Sequence, residues 1–246
     1  MDKMNFYTLC KECLYANRLN IYADDHFVEY FYNLTEFMLE FNKKTNLTAL
    51  RDERSVISRH ITDCLLAAKH LPEHGTILDV GSGGGMPALP FAIVRPDLKI
   101  VALDATAKKT AYIASATEHL GLKNVSILTG RAEELGTDLK YREKFDVCSA
   151  RAVAELRVLL EWCVPFIKPN GYFLSLKGKN ALAELDHAQN ALKQLSCKLE
   201  IDEKVTLFEP WEESEENDRH NFIIRKTKAT DKKYPRRNAQ ISKNPL

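Results

Sequence analysis

The 246-residue sequence lacks any apolar run approaching the ~20 residues that a membrane-spanning helix needs. Its N-terminus also lacks the apolar region of a secretory signal peptide. Both absences argue against a membrane or secreted protein, so we expect a cytoplasmic one. The hydrophobic content of 45% is enough to form the core of one α/β domain of this length.

The six cysteines follow neither a disulfide framework nor a zinc-binding spacing. Cys10 and Cys13 form the one close pair, and no second pair or Cys/His set accompanies them. They lie in an apolar pattern with helical spacing, which indicates a helix rather than a metal or redox site. We therefore expect no metal.

The net charge is small, +1 over the whole chain, but it is unevenly spread. Residues 225–246 carry eight lysines and arginines against the single Asp231, a local charge of +7 that leaves −6 for the remainder. Such a run suits the binding of RNA phosphates, with an affinity that falls steeply with salt. A solubilising tail is the alternative. Tyr234-Pro235 within the run favours a docking segment.

The sequence does contain a glycine-rich turn between a predicted strand and a predicted helix. The apolar run 76–80 leads into four glycines between positions 81 and 85, and a helix-like segment follows Pro87. Glycines allow positive φ and close approach of a ligand to the backbone, while the first turn of a helix offers free N–H groups. The segment predicts a nucleotide-binding cradle; a tight turn without a ligand is the alternative.

An acidic residue follows the second predicted strand. Asp104 lies 23 residues after Gly81, near the ~20-residue spacing at which a βαβ unit places a carboxylate on the hydroxyls of a ribose. Asp104 can instead cap the helix that begins near Thr106. The joint occurrence of the glycine turn and the acid favours ribose binding.

The residue at position 86 separates two kinds of nucleoside ligand. The dinucleotide fingerprint G-x-G-x-x-G needs glycine there, and this chain has Met86, which suits an apolar ligand face better than a pyrophosphate. Asp79, two residues before Gly81, can accept a hydrogen bond from an amino-acid ammonium group. These features favour S-adenosylmethionine, which carries a ribose and an amino acid but no phosphate.

Alternating strands and helices predict a largely parallel sheet from Thr76 onward. Candidate strands lie near 76–80, 99–103, 124–128, 145–149, 171–176, 200–208 and 220–225, and the last two form an antiparallel edge pair. Candidate helices lie near 87–94, 106–120, 152–166 and 180–195. Residues 4–70 have helical spacing, with an aromatic stripe from Phe27 to Phe41 that we interpret as core.

Ligands of such sheets bind outside the carboxyl ends of the strands. This rule brings the glycine turn and Asp104 together with Ala132 and Glu133, which follow the third strand, and with Arg151, which follows the fourth. Ala132 and Glu133 are candidates for adenine binding. For Glu133, a solvated acid at a helix start is the alternative.

The residues after the fourth strand restrict the methyl acceptor. Two common motifs are absent there: Asn/Asp-Pro-Pro-aromatic, which orients an exocyclic amine, and Pro-Cys, whose thiol attacks a pyrimidine carbon. Ala150-Arg151-Ala152 supplies no proton acceptor. A ring nitrogen with a free lone pair, such as guanine N7, needs none, so catalysis depends on orientation and proximity. We predict that Arg151 lies nearest the reaction and contacts guanine O6 or a phosphate; a structural ion pair is the alternative.

Taken together, these motifs make the chain resemble the bacterial small-subunit rRNA guanine-N7 methyltransferases, the family also called glucose-inhibited division protein B. The matching segments span nearly the whole chain in order: Asn46-Leu-Thr-Ala-Leu50, His60-Ile-Thr-Asp63, Leu78-Asp-Val-Gly-Ser-Gly-Gly-Gly-Met-Pro87, Asp104, Gly130-Arg-Ala-Glu133, Ser149-Ala-Arg-Ala-Val153, Leu176-Lys-Gly178, Tyr234-Pro-Arg236 and Pro245-Leu246.

The resemblance implies an α/β, class I S-adenosylmethionine-dependent methyltransferase fold (Rossmann-like), with seven mostly parallel strands and an N-terminal helical extension. It implies S-adenosyl-L-methionine as the cofactor and N7 of guanine 527, in the conserved 530 loop of 16S rRNA, as the acceptor. We divide the single domain, residues 1–246, into a helical segment 1–70, a core 71–226 and a basic C-terminal tail 227–246. The expected partner is 16S rRNA or the small ribosomal subunit. We expect the protein to act as a monomer, and we expect it to bind neither a membrane nor a metal ion.

The motifs and the resemblance together give the site residues. Candidates for cofactor binding are Asp79, Gly81, Gly83, Met86, Asp104, Ala105, Thr106, Ala132, Glu133 and Arg151, and candidates for substrate binding are Asn46, His60, Lys177, Arg236 and Arg237. The chain departs from the family pattern at Cys64, Met86, Ala88 and Lys109, and none of these changes removes a group that the chemistry needs. His60 and Asp63 can share a helix face near the cleft or form a surface pair.

Three rival functions share part of this pattern. A small-molecule or protein methyltransferase has the same cofactor cradle but no need for the basic tail. A NAD-dependent oxidoreductase shares the ribose acid, although Met86 speaks against it. A catalytically silent RNA-binding module needs the basic tail alone.

Overall fold

The computed structural model describes residues 1–45, 47–212 and 217–246, and a seven-stranded sheet runs through it. The strands are β1 (Thr76–Val80), β2 (Lys99–Asp104), β3 (Val125–Thr129), β4 (Phe145–Arg151), β5 (Ile167–Lys177), β6 (Cys197–Thr206) and β7 (Asp218–Lys226). Their order across the sheet is β3-β2-β1-β4-β5-β7-β6. The first five are parallel, whereas β7 is antiparallel to both β5 and β6. The predicted fold class, with its antiparallel edge, is confirmed.

The sheet reverses its strand order at β1. From β1 the chain proceeds outward to β2 and β3, and it then returns to place β4 on the other side of β1, with Asp79 opposite Ser149. The connections that follow β1 and β4 therefore leave the sheet at neighbouring points and in opposite directions, which opens a crevice between them. This crevice places the glycine turn next to Arg151.

The helices flank the sheet. They are α1 (Lys3–Ala16), α2 (Asp25–Thr45), α3 (Glu53–Val56), α4 (Asp63–Ala67), α5 (Ala88–Val94), α6 (Ala107–His119), α7 (Ala132–Leu135), α8 (Leu156–Cys163), α9 (Ala181–His187), α10 (Gln189–Gln194) and α11 (Asn238–Lys243). A π-helical turn, Ile57–Thr62, joins α3 to α4. None of the helices in the described residues is both long and apolar enough to cross a membrane.

The aromatic stripe of α2 faces the core, as its spacing predicts. Phe31 and Met38 are fully buried in one cluster with residues of α5 and α6. Phe37 and Phe41 lie against Tyr112 of α6, with ring centroids 5.8 and 4.9 Å apart. These contacts pack the N-terminal helices against the helix that follows β2, so the helical segment shares one core with the sheet.

Three helical predictions need correction. The helix predicted at 152–166 begins only at Leu156, because β4 continues to Arg151 and Ala152 then takes φ of +55°, outside the helical region. The helix predicted at 180–195 is divided into α9 and α10 at the buried Ala188. Within the segment 4–70, residues 47–51 are not helical.

The C-terminal segment, residues 227–246, packs on the core instead of extending from it. Tyr234 and Ile241 are buried, and the Arg142 guanidinium donates to the carbonyl oxygens of Thr230 and Tyr234, each at 2.8 Å. The Arg236 side chain donates to both carboxylate oxygens of Glu161, at 2.8 and 2.6 Å. Arg236 thus has a structural partner within the fold, and its contact with the substrate stays a prediction.

Replacing Arg236 tests this ion pair. Arg236→Ala leaves the Glu161 carboxylate, whose side chain has no solvent exposure, without a cation, and we expect a loss of about 3–5 kcal/mol in the free energy of unfolding. Arg237→Ala is the matched control, because Arg237 is exposed; its effect should stay within about 0.5 kcal/mol. Urea denaturation followed by circular dichroism measures both. Equal midpoints for the two variants would contradict the structural role of Arg236.

Candidate active site

The glycine turn after β1 has a backbone that only glycine adopts readily. Gly81, Gly83 and Gly85 have φ of +74°, +56° and +79°. The N–H groups of Gly81 and Ser82 donate to the carbonyl oxygen of Leu103 at 2.8 and 2.9 Å, which ties the turn to the end of β2. The turn therefore holds backbone close to Asp104, the next residue of β2.

Asp104 is buried and its carboxylate organises the turn. Oδ2 accepts from the Gly83 N–H at 3.0 Å, and Oδ1 accepts from the Thr106 N–H at 2.8 Å. Helix α6 begins at Ala107 with Thr106 as its N-cap, so Asp104 is not the cap itself. A carboxylate has about four acceptor positions, and two of them remain for the hydroxyls of a ribose. Asp104 can therefore hold the glycine turn and bind a ribose at the same time.

A cavity of about 310 Å³ opens beside this carboxylate. It brings together five of the predicted cofactor residues: Gly81, Asp104, Ala105, Ala132 and Glu133. Glu133 is buried, so it is not the solvated helix-start acid of the alternative interpretation. The remaining cofactor candidates, Asp79, Gly83, Met86, Thr106 and Arg151, lie outside the wall of this cavity.

Asp79 carries a buried carboxylate that is only half satisfied. Its Oδ1 accepts from the Ser149 hydroxyl at 2.9 Å, whereas Oδ2 has no hydrogen-bond partner among the described residues. Burial raises the pKa of Asp79 to about 6, against the opposing effect of the hydrogen bonds from Ser82 and Ser149. An unpaired carboxylate oxygen at the start of the glycine turn fits a ligand with an ammonium group.

Arg151, at the end of β4, is held by the N-terminal helical segment. Its Nη1 donates to Asp63 Oδ2 and to the Arg59 carbonyl oxygen, both at 2.8 Å, and its Nη2 lies 3.0 Å from His60 Nδ1. The other oxygen of Asp63 accepts from Arg219 Nε at 2.8 Å. Arg151 is thus part of an ion pair, as one interpretation of the sequence has it, and it is also positioned at the crevice.

His60 is a neutral histidine in this arrangement. Burial, and next the charge of Arg151, lower its pKa to about 4. A guanidinium can only donate, so a hydrogen bond from Arg151 to Nδ1 places the ring proton on Nε2, 3.0 Å from the Thr48 hydroxyl. In the other tautomer, Nδ1 donates to the Arg59 carbonyl oxygen, 3.2 Å away. His60 lies in the π-helical turn, so it does not stand one α-helical turn from Asp63; both side chains nevertheless contact Arg151.

A second cavity of about 480 Å³ adjoins the first, because Ala152 and Val153 line both cavities. The wall of the second cavity includes two acidic residues, Asp63 and Glu184. It also includes four cationic ones: Arg59, Arg151, Lys177 and Arg219. Lys177 is buried and donates to Glu184 and to the Ala154 carbonyl oxygen, each at 2.7 Å. Arg59 also pairs with Glu209 and Glu212, so the second cavity is electropositive through Arg151 and Arg219, which share the single carboxylate of Asp63. This cavity adjoins the first.

The other substrate candidates are distributed differently. Asn46 lies outside the described residues. Arg237 lies in a groove next to the first cavity, and Arg236 is paired with Glu161. Sequence reasoning missed Arg219 and Asn221 of β7, which line the second cavity, since no motif marks them. In the described ranges, no group of three His, Cys, Asp or Glu side chains is placed to hold a metal ion.

Known proteins with similar sequences share one description. A family model described as rRNA small subunit methyltransferase G matches residues 28–208. Ribosomal RNA small subunit methyltransferase G of Thermoanaerobacter pseudethanolicus is 39% identical over 233 residues, which cover 94% of this chain and 95% of the relative. The protein of the same name from Clostridium botulinum (strain Loch Maree) is 36% identical over 247 residues, with 99% and 100% covered.

Solved structures of other proteins share the fold. Pyrococcus horikoshii TYW2 in complex with MeSAdo aligns with a TM-score of 0.53 at 11% identity, covering 68% of this chain and 63% of that chain. A ribosomal protein L11 methylase from Lactobacillus delbrueckii subsp. bulgaricus aligns with a TM-score of 0.51 at 14% identity, covering 69% and 79%. At these identities the likeness concerns the fold alone.

The buried carboxylate of Asp79 has a measurable consequence. Its folded-state pKa of about 6 lies above its ordinary value of 3.8, so the stability that it contributes is complete below pH ~4 and is lost as pH rises through 6. Asp79→Asn removes this charge, and we expect it to be more stable than the wild type by about 1–3 kcal/mol at pH 7.5 but not at pH 4. Urea denaturation at both pH values, without cofactor, measures the difference.

Calorimetric titration of the same variant with S-adenosylmethionine separates a binding role from simple burial. If the unpaired oxygen receives the ammonium group, Asp79→Asn binds the cofactor more weakly although the protein is more stable. A variant with unchanged stability at pH 7.5 and unchanged affinity would contradict both statements.

Proposed function

The chain belongs to the rRNA small subunit methyltransferase G family, whose members methylate small-subunit rRNA with S-adenosylmethionine, and we propose that it methylates N7 of guanine 527 in the 530 loop of 16S rRNA. The observation that carries this proposal is the pair of adjoining cavities that share Ala152 and Val153 in their walls. One cavity has the carboxylates that suit a nucleoside, and the other is electropositive and suits a nucleotide of RNA.

The first cavity fits S-adenosylmethionine. Asp104 has acceptor positions left for ribose hydroxyls, and Glu133 is a buried acceptor after β3. Asp79 lies outside the wall of this cavity, two residues before Gly81, and its unpaired oxygen suits the ammonium group of the amino-acid portion. The bound cofactor supplies a methyl group on a sulfonium, and the residues of this chain determine where the acceptor atom lies relative to it.

The second cavity favours an acceptor that releases no proton in the methylation step. His60 has both ring nitrogens within hydrogen-bond distance of Arg151 or Thr48, and its pKa of about 4 makes it a weak base. The two oxygens of Asp63 accept from Arg151 and Arg219. Guanine N7 carries a free lone pair and needs no base before attack, which matches these surroundings.

Arginine at this position can select guanine without hindering the reaction. An arginine that donates to both O6 and N7 of guanine is the commonest specific contact in nucleic acid recognition. Here the N7 lone pair must remain free, so we propose that Arg151 donates to O6 or to a phosphate. Arg219 and Lys177 add positive charge in the same cavity.

We also propose that one chain suffices for the reaction, since one chain supplies the walls of both cavities. Residues 1–246 then act as a single domain in the cytoplasm, where the rRNA is made. The NAD-dependent alternative is excluded by the family, and the C-terminal segment is a packed part of the protein rather than a free tail.

The test of the acceptor is mass spectrometry of 16S rRNA from cells with and without this protein. We expect 7-methylguanosine at position 527 in wild-type cells, its loss on deletion, and its return when the wild-type chain is expressed. A deletion strain that keeps this modification would overturn the proposed acceptor.

Arg151 and Asp63 provide a matched pair for the mechanism. Arg151→Ala should lower kcat by about 100-fold while changing the affinity for S-adenosylmethionine by less than about threefold, because the loss concerns orientation of the acceptor. Asp63→Asn breaks the same ion pair but keeps the guanidinium. Single-turnover kinetics and calorimetry measure the two quantities. If Asp63→Asn loses as much turnover as Arg151→Ala, Arg151 acts only through its ion pair.

A further inference from the structure

We infer that Trp162 and Asn238 form the adenine-reading wall of the cofactor cavity, so that the C-terminal segment is part of the cofactor site. This inference rests on the proposed cofactor cavity and adds two residues that neither the glycine turn nor the acidic residues after β2 and β3 supply. Both side chains line the cavity that also contains Asp104 and Glu133.

Asn238 lies at the Glu133 end of this cavity. The residues Arg131, Glu133 and Asn238 line both the cavity and the groove beside it, whereas Asp104 lines the cavity alone. Because Asp104 is the carboxylate suited to the ribose, the neighbourhood of Glu133 and Asn238 is where a base attached to that ribose extends. The base of the cofactor is adenine.

A buried ion pair fixes Asn238 next to Trp162. Glu161 precedes Trp162 on α8, and it accepts from the Arg236 backbone N–H as well as from the Arg236 side chain, each at 2.8 Å or less. Arg236 is two residues before Asn238, and α11 packs against α8. The buried side chains of Tyr234 and Ile241 hold the segment on both sides of this contact. The position of Asn238 is therefore determined by the core and not by a mobile terminus.

The chemistry of the two side chains matches adenine. The indole Nε1–H of Trp162 is buried and has no acceptor among the described residues, so a ring nitrogen of a ligand would satisfy it after a small movement of the indole. The Asn238 amide offers an acceptor and a donor, the combination that pairs with the amine and the adjacent ring nitrogen of adenine. The Ser242 hydroxyl lies 3.3 Å from Asn238 Oδ1 and can orient the amide.

The first experiment is calorimetric titration with S-adenosylhomocysteine. Asn238→Ala should weaken binding by about three- to tenfold, the loss of one or two neutral hydrogen bonds. Gln240→Ala is the matched control, because Gln240 is exposed on the same helix and does not line the cavity. Trp162→Phe keeps an aromatic ring but removes the N–H together with the rest of the pyrrole ring, and it should weaken binding at least as much as Asn238→Ala. Equal affinities for the wild type, Asn238→Ala and Trp162→Phe would overturn the inference.

A base-modified ligand separates recognition of adenine from general loosening of the cavity. S-inosylhomocysteine has an oxygen in place of the 6-amino group, so it should bind the wild type more weakly than the adenosyl compound by about tenfold. Asn238→Ala should reduce this preference, and Gln240→Ala should retain it. If Asn238→Ala retains the full preference, Asn238 does not read the base.

Fluorescence gives a readout that is independent of activity. The chain has two tryptophans, so Trp211→Phe leaves Trp162 as the sole reporter. Addition of S-adenosylhomocysteine should change the Trp162 emission in this background. Calorimetric binding without a fluorescence change would contradict the position of Trp162 at the base, and absence of any binding by the wild type would instead contradict the proposed cofactor site.

Discussion

The candidate active site depends above all on one buried carboxylate that two arginines share. Asp63 comes from the N-terminal helical segment, Arg151 ends β4, and Arg219 belongs to the antiparallel strand β7. Charges this well buried are costly unless each is paired, so the three parts of the chain must meet at one point. Their meeting closes the wall of the electropositive cavity and directs Arg151 toward the crevice that the strand order opens. The site is thus a consequence of packing between layers, and the sheet alone would not form it.

The position of Ala152 and Val153 follows from the same constraint. The side chain of Arg151 binds Asp63 of the helical segment. The backbone then changes direction at Ala152, which has a positive φ. Val153 comes to lie over Gly81, where a Cβ would be only 2.6 Å from its Cγ2. Glycine at 81 is therefore required twice, by its own φ and by this contact. Because both cavities are lined by Ala152 and Val153, the donor and the acceptor lie next to each other in the proposed reaction, and guanine N7 bonds directly to the methyl carbon as its bond to sulfur breaks.

The distribution of charge shows why composition is an incomplete guide to RNA binding. The run of cations in residues 225–246 is the most basic part of the sequence, but several of its members have partners within the fold: Arg225 with Glu200, Lys226 with Glu143, and Arg236 with Glu161. The exposed remainder, which includes Arg237, still offers charge for phosphates. A local excess of positive charge also arises at Arg151 and Arg219, which are distant in sequence and share the one carboxylate of Asp63.

The sequence by itself determined the features that depend on local backbone requirements. The seven strands, the glycine turn and Asp104 at the end of β2 are readable because alternation, positive φ and the βαβ spacing each leave a pattern within about 30 residues. Only the tertiary structure decided which charges pair, where helix α8 begins, and that Arg219, Asn221, Trp162 and Asn238 line the cavities. Those outcomes arise from contacts between residues 70 to 160 positions apart, as in Asp63 with Arg219 and Glu161 with Arg236. Such contacts leave no periodic pattern in the sequence, because the two partners belong to different helices, strands or loops. The residues next to each partner follow the pattern of its own element and not that of the contact.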